Sequence, residues 1–396
     1  MRSVILFVVQ SLELGGTERH IVDVLPLLRC RGWQIRLFAL NLKGCKSREI
    51  EQLGIRVEGP ADAKNYKYIP FFFHRPLANF LRITSLIRVM FNPDIRLVHF
   101  FLPRAYLVGG FLSLFAPIPL RVMSRRSRNS YQLKYPFFAV FERTLHIFMD
   151  AVLSNSISVK NDLLQEGVDS KKIGLIYNGY DLGHLKNVPD RNATRFKLKI
   201  KNDALVLIIV ANLFPYKGHM DLVKAVSGIA TQMFEGWRLL IVGRDEGELA
   251  ALRNTVKVAG MCNNVVFLGE RLDVFGLMAA SDIGLLCSHE EGFSNAIIEY
   301  MAHELPVIAT DVGGNREAVI NNQTGLIVPP KSPVELGQAI LKLARNKHVR
   351  QKMGKAGKTS VKKHFTLESC VDKYSQFYNG LVKKNEKTVQ EIIDSK

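Results

Sequence analysis

The sequence predicts an α/β fold of two doubly wound domains facing across a cleft. Strand-length apolar runs alternate with helix-period segments along nearly the whole chain. These runs lack polar alternation, as expected for parallel strands covered on both faces. The alternation pauses once, over a polar interval at residues 181–203, and then restarts. Two such series imply two domains, and 396 residues exceed one ordinary core.

In the first series "VILFVV" precedes "GGTERHIVDVLPLL", whose Ile21, Val24, Leu25 and Leu28 keep helical spacing. "IRLFAL", "RLVHFF", "LRVMS", "AVLSNS" and "IGLIYNG" follow as strand candidates. The second series runs "ALVLIIVANL", "WRLLIVG", "NVVFLG", "DIGLLCS", "LPVIATD" and "TGLIVPP". After Lys331 only helices are expected, ending in a Lys-rich tail that frays. The expected divisions are residues 1–182, 183–366 and 367–396. Ligands in open α/β sheets bind beyond the carboxyl ends of the strands, so one substrate per domain is the natural arrangement.

Composition narrows the partners. The net charge is +18, and through residue 146 there are 22 Lys/Arg against 9 Asp/Glu, a local +13. A basic first domain attracts nucleic acid, a phospholipid surface or a phosphorylated substrate. Cys30, Cys45, Cys262, Cys287 and Cys370 show no zinc spacing and suit a reducing compartment. The opening apolar run leads into a glycine turn and reads as a buried strand rather than a signal peptide. Ala105–Leu120 is free of charge but spans 16 residues with Pro117 and Pro119, short of the ~20 a membrane span needs. The expectation is a cytoplasmic protein that can adhere to the inner face of the plasma membrane.

Four stretches can carry chemistry. In "SHEEGFSNAIIEYMA", residues 288–302, Asn295 is placed as N-cap of a helix, and residues 291–295 form a strand-to-helix loop whose free N–H groups can bind phosphate. Glu291 and Glu299 lie eight residues apart, roughly 12 Å if helical. That is wider than the roughly 5–9.5 Å of a glycosidase pair. A clamp at the two ends of a nucleoside diphosphate sugar fits better. From spacing alone, one surface and one helix glutamate of an ordinary strand–helix unit is still favoured.

In "VANLFPYKGHMDLV", Lys217 precedes Gly218 after a strand and can neutralise a diphosphate leaving group; Asn212 can bond phosphate or hydroxyl. A turn lysine without function is equally compatible. Gly15 and Gly16 in "ELGGTERH" form a turn that admits a diphosphate or an acceptor hydroxyl, and Gly313, Gly314 and Glu317 repeat the device in "TDVGGNREAV". His99 ends a strand, where structure is the commoner role. Arg121, Arg125, Arg126, Arg128 and Lys134 have no acid among them; a solvated basic loop is the default and an anion-binding surface the sharper reading. No Asp-x-Asp, Walker loop, H-E-x-x-H or C-x-x-C occurs.

"EEGFSNAIIEYMAHELPVIATDVGGNREAV…TGLIVPP", with "VANLFPYKGH" and "GGTER", resembles the retaining glycosyltransferases of family 4, of the bacterial polysaccharide and lipopolysaccharide type. The resemblance implies the GT-B fold, with an acceptor-binding Rossmann-like domain, a donor-binding one, and a last helix crossing back. It implies transfer of a hexose or N-acetylhexosamine from a UDP-sugar to a glycan or lipid-linked acceptor, without metal or cofactor. Glu291 would contact donor-sugar hydroxyls and Glu299 the ribose. Gly292, Phe293, Ser294 and Asn295 would supply N–H groups, and Lys217 would stabilise the leaving phosphate. Gly15 and Gly16 would line the acceptor side. Two departures stand out: Asn212 replaces the commoner arginine, leaving Arg244 as substitute, and "SRRS" replaces a histidine, putting Arg125 or Arg126 there and leaving a catalytic His99 open. The alternatives are a nucleotide-sugar epimerase or a non-enzymatic polyanion binder; no nucleic-acid module is recognised. Residues 60–80 and 124–136 are expected to be specificity loops.

Overall fold

The computed structural model describes residues 4–13, 15–41, 46–60, 71–129, 132, 135–383 and 387–394. Cys45, Lys134 and residues 61–70 of the first expected specificity loop lie outside them. The remainder of that loop is not a loop, since Phe71 opens a helix that runs to Met90. The chain forms two compact units, Met1–Asn178 with Leu367–Lys396, and Gly179–Thr366.

In the first unit seven strands form one sheet: β1 (Val4–Val9), β2 (Gln34–Ala39), β3 (Arg56–Glu58), β4 (Ile95–Phe101), β5 (Leu120–Arg125), β6 (Ala151–Ser154) and β7 (Ile173–Leu175). Their order is β3-β2-β1-β4-β5-β6-β7, and every pairing is parallel. The unbroken apolar run of β1 is explained by its interior position between β2 and β4. Ile5, Phe7 and Val9 enter one core while Val4, Leu6 and Val8 enter the other, because successive side chains point to opposite faces.

The helix Leu367–Val382 completes the first of those cores. It packs against the helix Gly16–Cys30 and buries Val371, Tyr374, Phe377 and Tyr378. Trp33 Nε1 donates to Ser375 Oγ at 3.0 Å and fixes its register. The tail departs from expectation. Val389–Asp394 is a helix against β7 with Val389, Ile392 and Ile393 buried, and Gln390 Oε1 accepts from Leu175 N at 2.8 Å. Apolar residues at i, i+3 and i+4 dock this segment despite its lysine-rich approach.

The second unit has six strands: β8 (Val206–Val210), β9 (Arg238–Val242), β10 (Val265–Gly269), β11 (Ile283–Leu286), β12 (Val307–Thr310) and β13 (Gly325–Val328). They run parallel in the order β10-β9-β8-β11-β12-β13, the same winding as the first sheet. The polar interval expected as a linker is folded into this unit. Arg191 and Arg195, both on the helix Arg191–Lys197, pair with Asp282 at 2.6 and 2.9 Å just before β11.

Candidate active site

In a sheet of this order the connections reverse direction between the two central strands, here β8 and β11, and a crevice opens at their carboxyl ends. The two sequence stretches singled out in the second unit are the loops at that point. After β8 the chain makes a short turn, Pro215–Lys217, and Gly218 then starts the helix His219–Ile229. Gly218 has φ of 71°, and a Cβ there would collide with the Cys287 carbonyl after β11. Glycine is what lets the two loops touch.

Lys217 Nζ donates to Glu291 Oε1 at 2.7 Å, and Ser288 Oγ donates to the same oxygen at 2.6 Å. Tyr216 underlies the ammonium, 5.1 Å from ring centre to nitrogen. Burial disfavours the charged ammonium, but the charge and hydrogen bond of Glu291, with Tyr216 and Glu290, together outweigh it and the Lys217 pKa is raised. Lys217 is therefore held as a cation at the crevice. His219 behind it is neutral, its pKa lowered to about 4 by burial and by the Lys217 charge.

A third loop holds this arrangement from below. Thr310 Oγ1 donates to Ser288 O at 2.6 Å, and Gly314 N donates to Gly292 O at 2.8 Å. Gly313 has φ of 53°, and a Cβ there would collide with the Glu291 carbonyl. The "TDVGG" turn is thus the backing of the Glu291–Gly292 backbone. Ser288 and Thr310 did not emerge from the sequence alone; their spacing to Glu291 and Gly313 is local and was readable.

The helix after the loop runs Asn295–Ala302 with Ser294 as N-cap, one residue earlier than expected, and no side chain caps it. Its first N–H groups therefore depend on something other than a side-chain cap. Gly292, Phe293 and Ser294 are buried beside it, with Phe293 against Phe365 at 5.5 Å. Glu299 is buried on the same helix, next to Tyr300, whose hydroxyl accepts from Val210 N at 2.7 Å at the end of β8. Asn212 Oδ1 accepts from Arg244 N at 3.1 Å, so the two candidate donor residues adjoin, and Arg244 Nε donates to Glu246 Oε1 at 2.7 Å.

In the first unit Gly15 caps the helix that Gly16 opens at the end of β1. The Glu18 carboxylate curls back over this turn. Burial raises its pKa against the pull of a backbone hydrogen bond and the Arg126 charge. Arg126 Nη2 donates to Asn178 Oδ1 at 2.7 Å, and Tyr374 hydrogen-bonds the same guanidinium. Glu18 and Tyr374 were missed; Tyr374 lies so far along the chain that no local pattern could reveal it.

Three expectations are corrected here. His99 is fully buried, with Nδ1 2.7 Å from Tyr378 Oη and Nε2 2.8 Å from Ser124 Oγ. Burial and the Arg126 charge hold its pKa well below the ordinary value, and both ring nitrogens are engaged within the core rather than standing free at a strand end. Arg125 is buried too, paired with Glu142 at 2.7 Å and Glu166 at 2.6 Å, which removes it from the acceptor side. The described members of the basic stretch are not a solvated loop: Arg121 bonds Ser113 O and Arg128 pairs with Asp162 at 2.6 Å. Of the described members, Arg126 is the one beside the Glu18 turn.

Two α/β units, each with the same parallel winding, form the GT-B fold of glycosyltransferases. The chain matches the crystal structure of HepE from Anabaena in complex with UDP and glucose with a TM-score of 0.84, covering 96% of this chain and 100% of that one at 24% identity. Family models confirm the class: "Glycosyltransferase Family 4" matches residues 14–184 and "Glycosyl transferases group 1" residues 190–360. The chain belongs to glycosyltransferase family 4. Among curated relatives, an uncharacterised glycosyltransferase of Methanocaldococcus jannaschii is 25% identical over 93% of this chain and 96% of its own length. An N-acetylgalactosamine-N,N'-diacetylbacillosaminyl-diphospho-undecaprenol 4-alpha-N-acetylgalactosaminyltransferase of Campylobacter jejuni is 25% identical over 89% and 93%.

The backing role of Gly313 is testable. Gly313→Ala is expected to destabilise the second unit by about 1–3 kcal/mol through backbone strain and to lower transfer activity at least tenfold. Gly228→Ala, where a Cβ meets nothing within 4 Å, is the control and should leave both unchanged.

Proposed function

We propose that the protein transfers a hexose or N-acetylhexosamine from a UDP-sugar, with retention of configuration, to a hydroxyl of a lipid-linked glycan in cell-surface polysaccharide synthesis. The carrying observation is the Lys217–Glu291 pair at 2.7 Å, set where β8 and β11 end. The Lys217 ammonium takes the charge of the departing diphosphate, aided by the N–H groups that open the helix at Asn295. Glu291 and Glu299 accept hydrogen bonds from the sugar and ribose hydroxyls, with Asn212 and Arg244 beside the phosphates. The glycosidic bond forms between the acceptor oxygen and the anomeric carbon as the carbon–phosphate oxygen bond breaks, and the acceptor proton passes to the leaving diphosphate.

Charge neutralisation by lysine and backbone donors is the basis for reading the reaction as independent of metal and cofactor. The acceptor side is assigned to Gly15, Gly16 and Arg126 of the first domain. A UDP-bound neighbour of the same fold and a relative named for a diphospho-undecaprenol acceptor support the substrate classes. Such an acceptor places the enzyme at the inner face of the plasma membrane. No helix among the described residues is long and apolar enough to cross one.

A thermal-shift panel of UDP-, GDP- and ADP-sugars tests the donor. UDP-sugars at a hundred times Kd should stabilise by about 2.7 kcal/mol, and Glu299→Ala should abolish the response. A protein that responds to none of them, or that converts the sugar without any acceptor, is not this transferase.

A further inference from the structure

The loop that carries Glu291 has no regular structure of its own over residues 287–294. Such a loop keeps a carboxylate in place only when more rigid elements hold its backbone. The "TDVGG" turn does so from below. Toward the lysine, two further bonds tie it, and both belong to His289. Its backbone N donates to Tyr216 O at 2.7 Å, one residue before Lys217. Its Nε2 lies 2.6 Å from Asp221 Oδ2, four residues after Lys217. His289 thus grips the opposite wall of the crevice on both sides of the lysine. Glu291, two residues further along the loop, is brought within reach of the ammonium.

The anchor is a rigid one. Asp221 stands in the first turn of the helix His219–Ile229, where free N–H groups favour a carboxylate. A carboxylate only accepts, so the imidazole Nε2–H is the donor. The two side chains are 25% and 19% exposed, more shielded than the surface ion pairs that contribute almost nothing. Their polar ends face each other, so the pair acts on the reaction through Lys217 and Glu291.

We propose that His289 is a positioning residue: clasped by Asp221, it sets the Glu291 carboxylate against Lys217 and so fixes the ammonium for the departing diphosphate. The inference deepens the proposed transfer reaction and rests on the role given there to Lys217.

Three substitutions in the full chain test it. The glutamine amide nitrogen takes the place of His289 Nε2, so His289→Gln keeps the bond to Asp221, whereas His289→Asn keeps a polar amide but falls short. Asp221→Ala removes the bond from the other side. The first readout needs no substrate: the rate at which acetic anhydride labels Lys217, followed by peptide mass spectrometry. A lysine freed from Glu291 reacts faster. His289→Asn and Asp221→Ala should therefore label Lys217 several-fold faster than the wild type, and His289→Gln at the wild-type rate. The second readout is transfer with the UDP-sugar that the thermal-shift panel selects. His289→Asn and Asp221→Ala should each lower kcat about tenfold, the worth of one charge-assisted hydrogen bond, with donor KM little changed. Combined, they should cost no more than either alone, and His289→Asn should add little in a Lys217→Ala background. Unchanged labelling of Lys217 in folded His289→Asn and Asp221→Ala overturns the inference, as does an equal loss of activity in His289→Gln and His289→Asn. Faster labelling with kcat unchanged would instead sink the role proposed for Lys217 and leave the positioning by His289 standing.

Discussion

Lys217→Ala is expected to lower the transfer rate by about 10²–10³-fold, the range seen when one preorganised charge-stabilising donor is removed from an active site. Lys217 should matter more for turnover than for stability. Its side chain is partly accessible, and Glu291 keeps Ser288 as a hydrogen-bond donor when the ammonium is gone. The effect should fall on kcat rather than on KM for the donor, since charge on the diphosphate grows as the bond from the anomeric carbon to the phosphate oxygen breaks. Arginine at this position should rescue poorly, because its longer planar fork does not place a compact charge where Lys217 Nζ meets Glu291 Oε1 at 2.7 Å. Retained turnover in Lys217→Ala would remove the lysine from the mechanism.

Arg125→Ala is expected to cost the first unit about 3–5 kcal/mol, because it leaves two buried carboxylates without their cation. The side chains of Glu142 and Glu166 are 0% and 1% exposed. Burial alone would raise the Glu166 pKa, yet the adjoining His146 and the hydrogen bonds from Arg125 and Gln132 bring it down to about 2. A carboxylate depressed in this way stabilises the fold above the unfolded pKa and loses that stabilisation as pH falls toward 2. The wild type should therefore lose about 3 kcal/mol between pH 5 and pH 2 from this group. Adding Glu142→Gln and Glu166→Gln to Arg125→Met should recover most of the loss and flatten the acid limb. Thermal melts across that pH range check both statements.

These two residues also mark what was legible in the sequence and what was not. The placement of Lys217 was readable because its setting is local: a strand, a glycine and a helix start lie within a few residues. The central strands were readable for a similar reason, since β1 is buried on both faces and carries no polar residue. Arg125 was not, because its partners lie 17 and 41 residues away. A basic run seen without its acids looks solvated. His99 is the same case at longer range, its partner Tyr378 standing 279 residues on. The terminal helix was missed although Val389, Ile392 and Ile393 keep helical spacing, because flanking lysines dominated the reading.

The return of Leu367–Val382 to the first sheet has a consequence for how the protein is made. Gly179–Thr366 is a single continuous stretch and holds all its own core residues, so it can close while the rest of the chain is still on the ribosome. The first unit cannot. Tyr374 and Tyr378, which meet His20 and His99 in its interior, are synthesised after the whole second unit. The half that emerges first is thus the half that matures last.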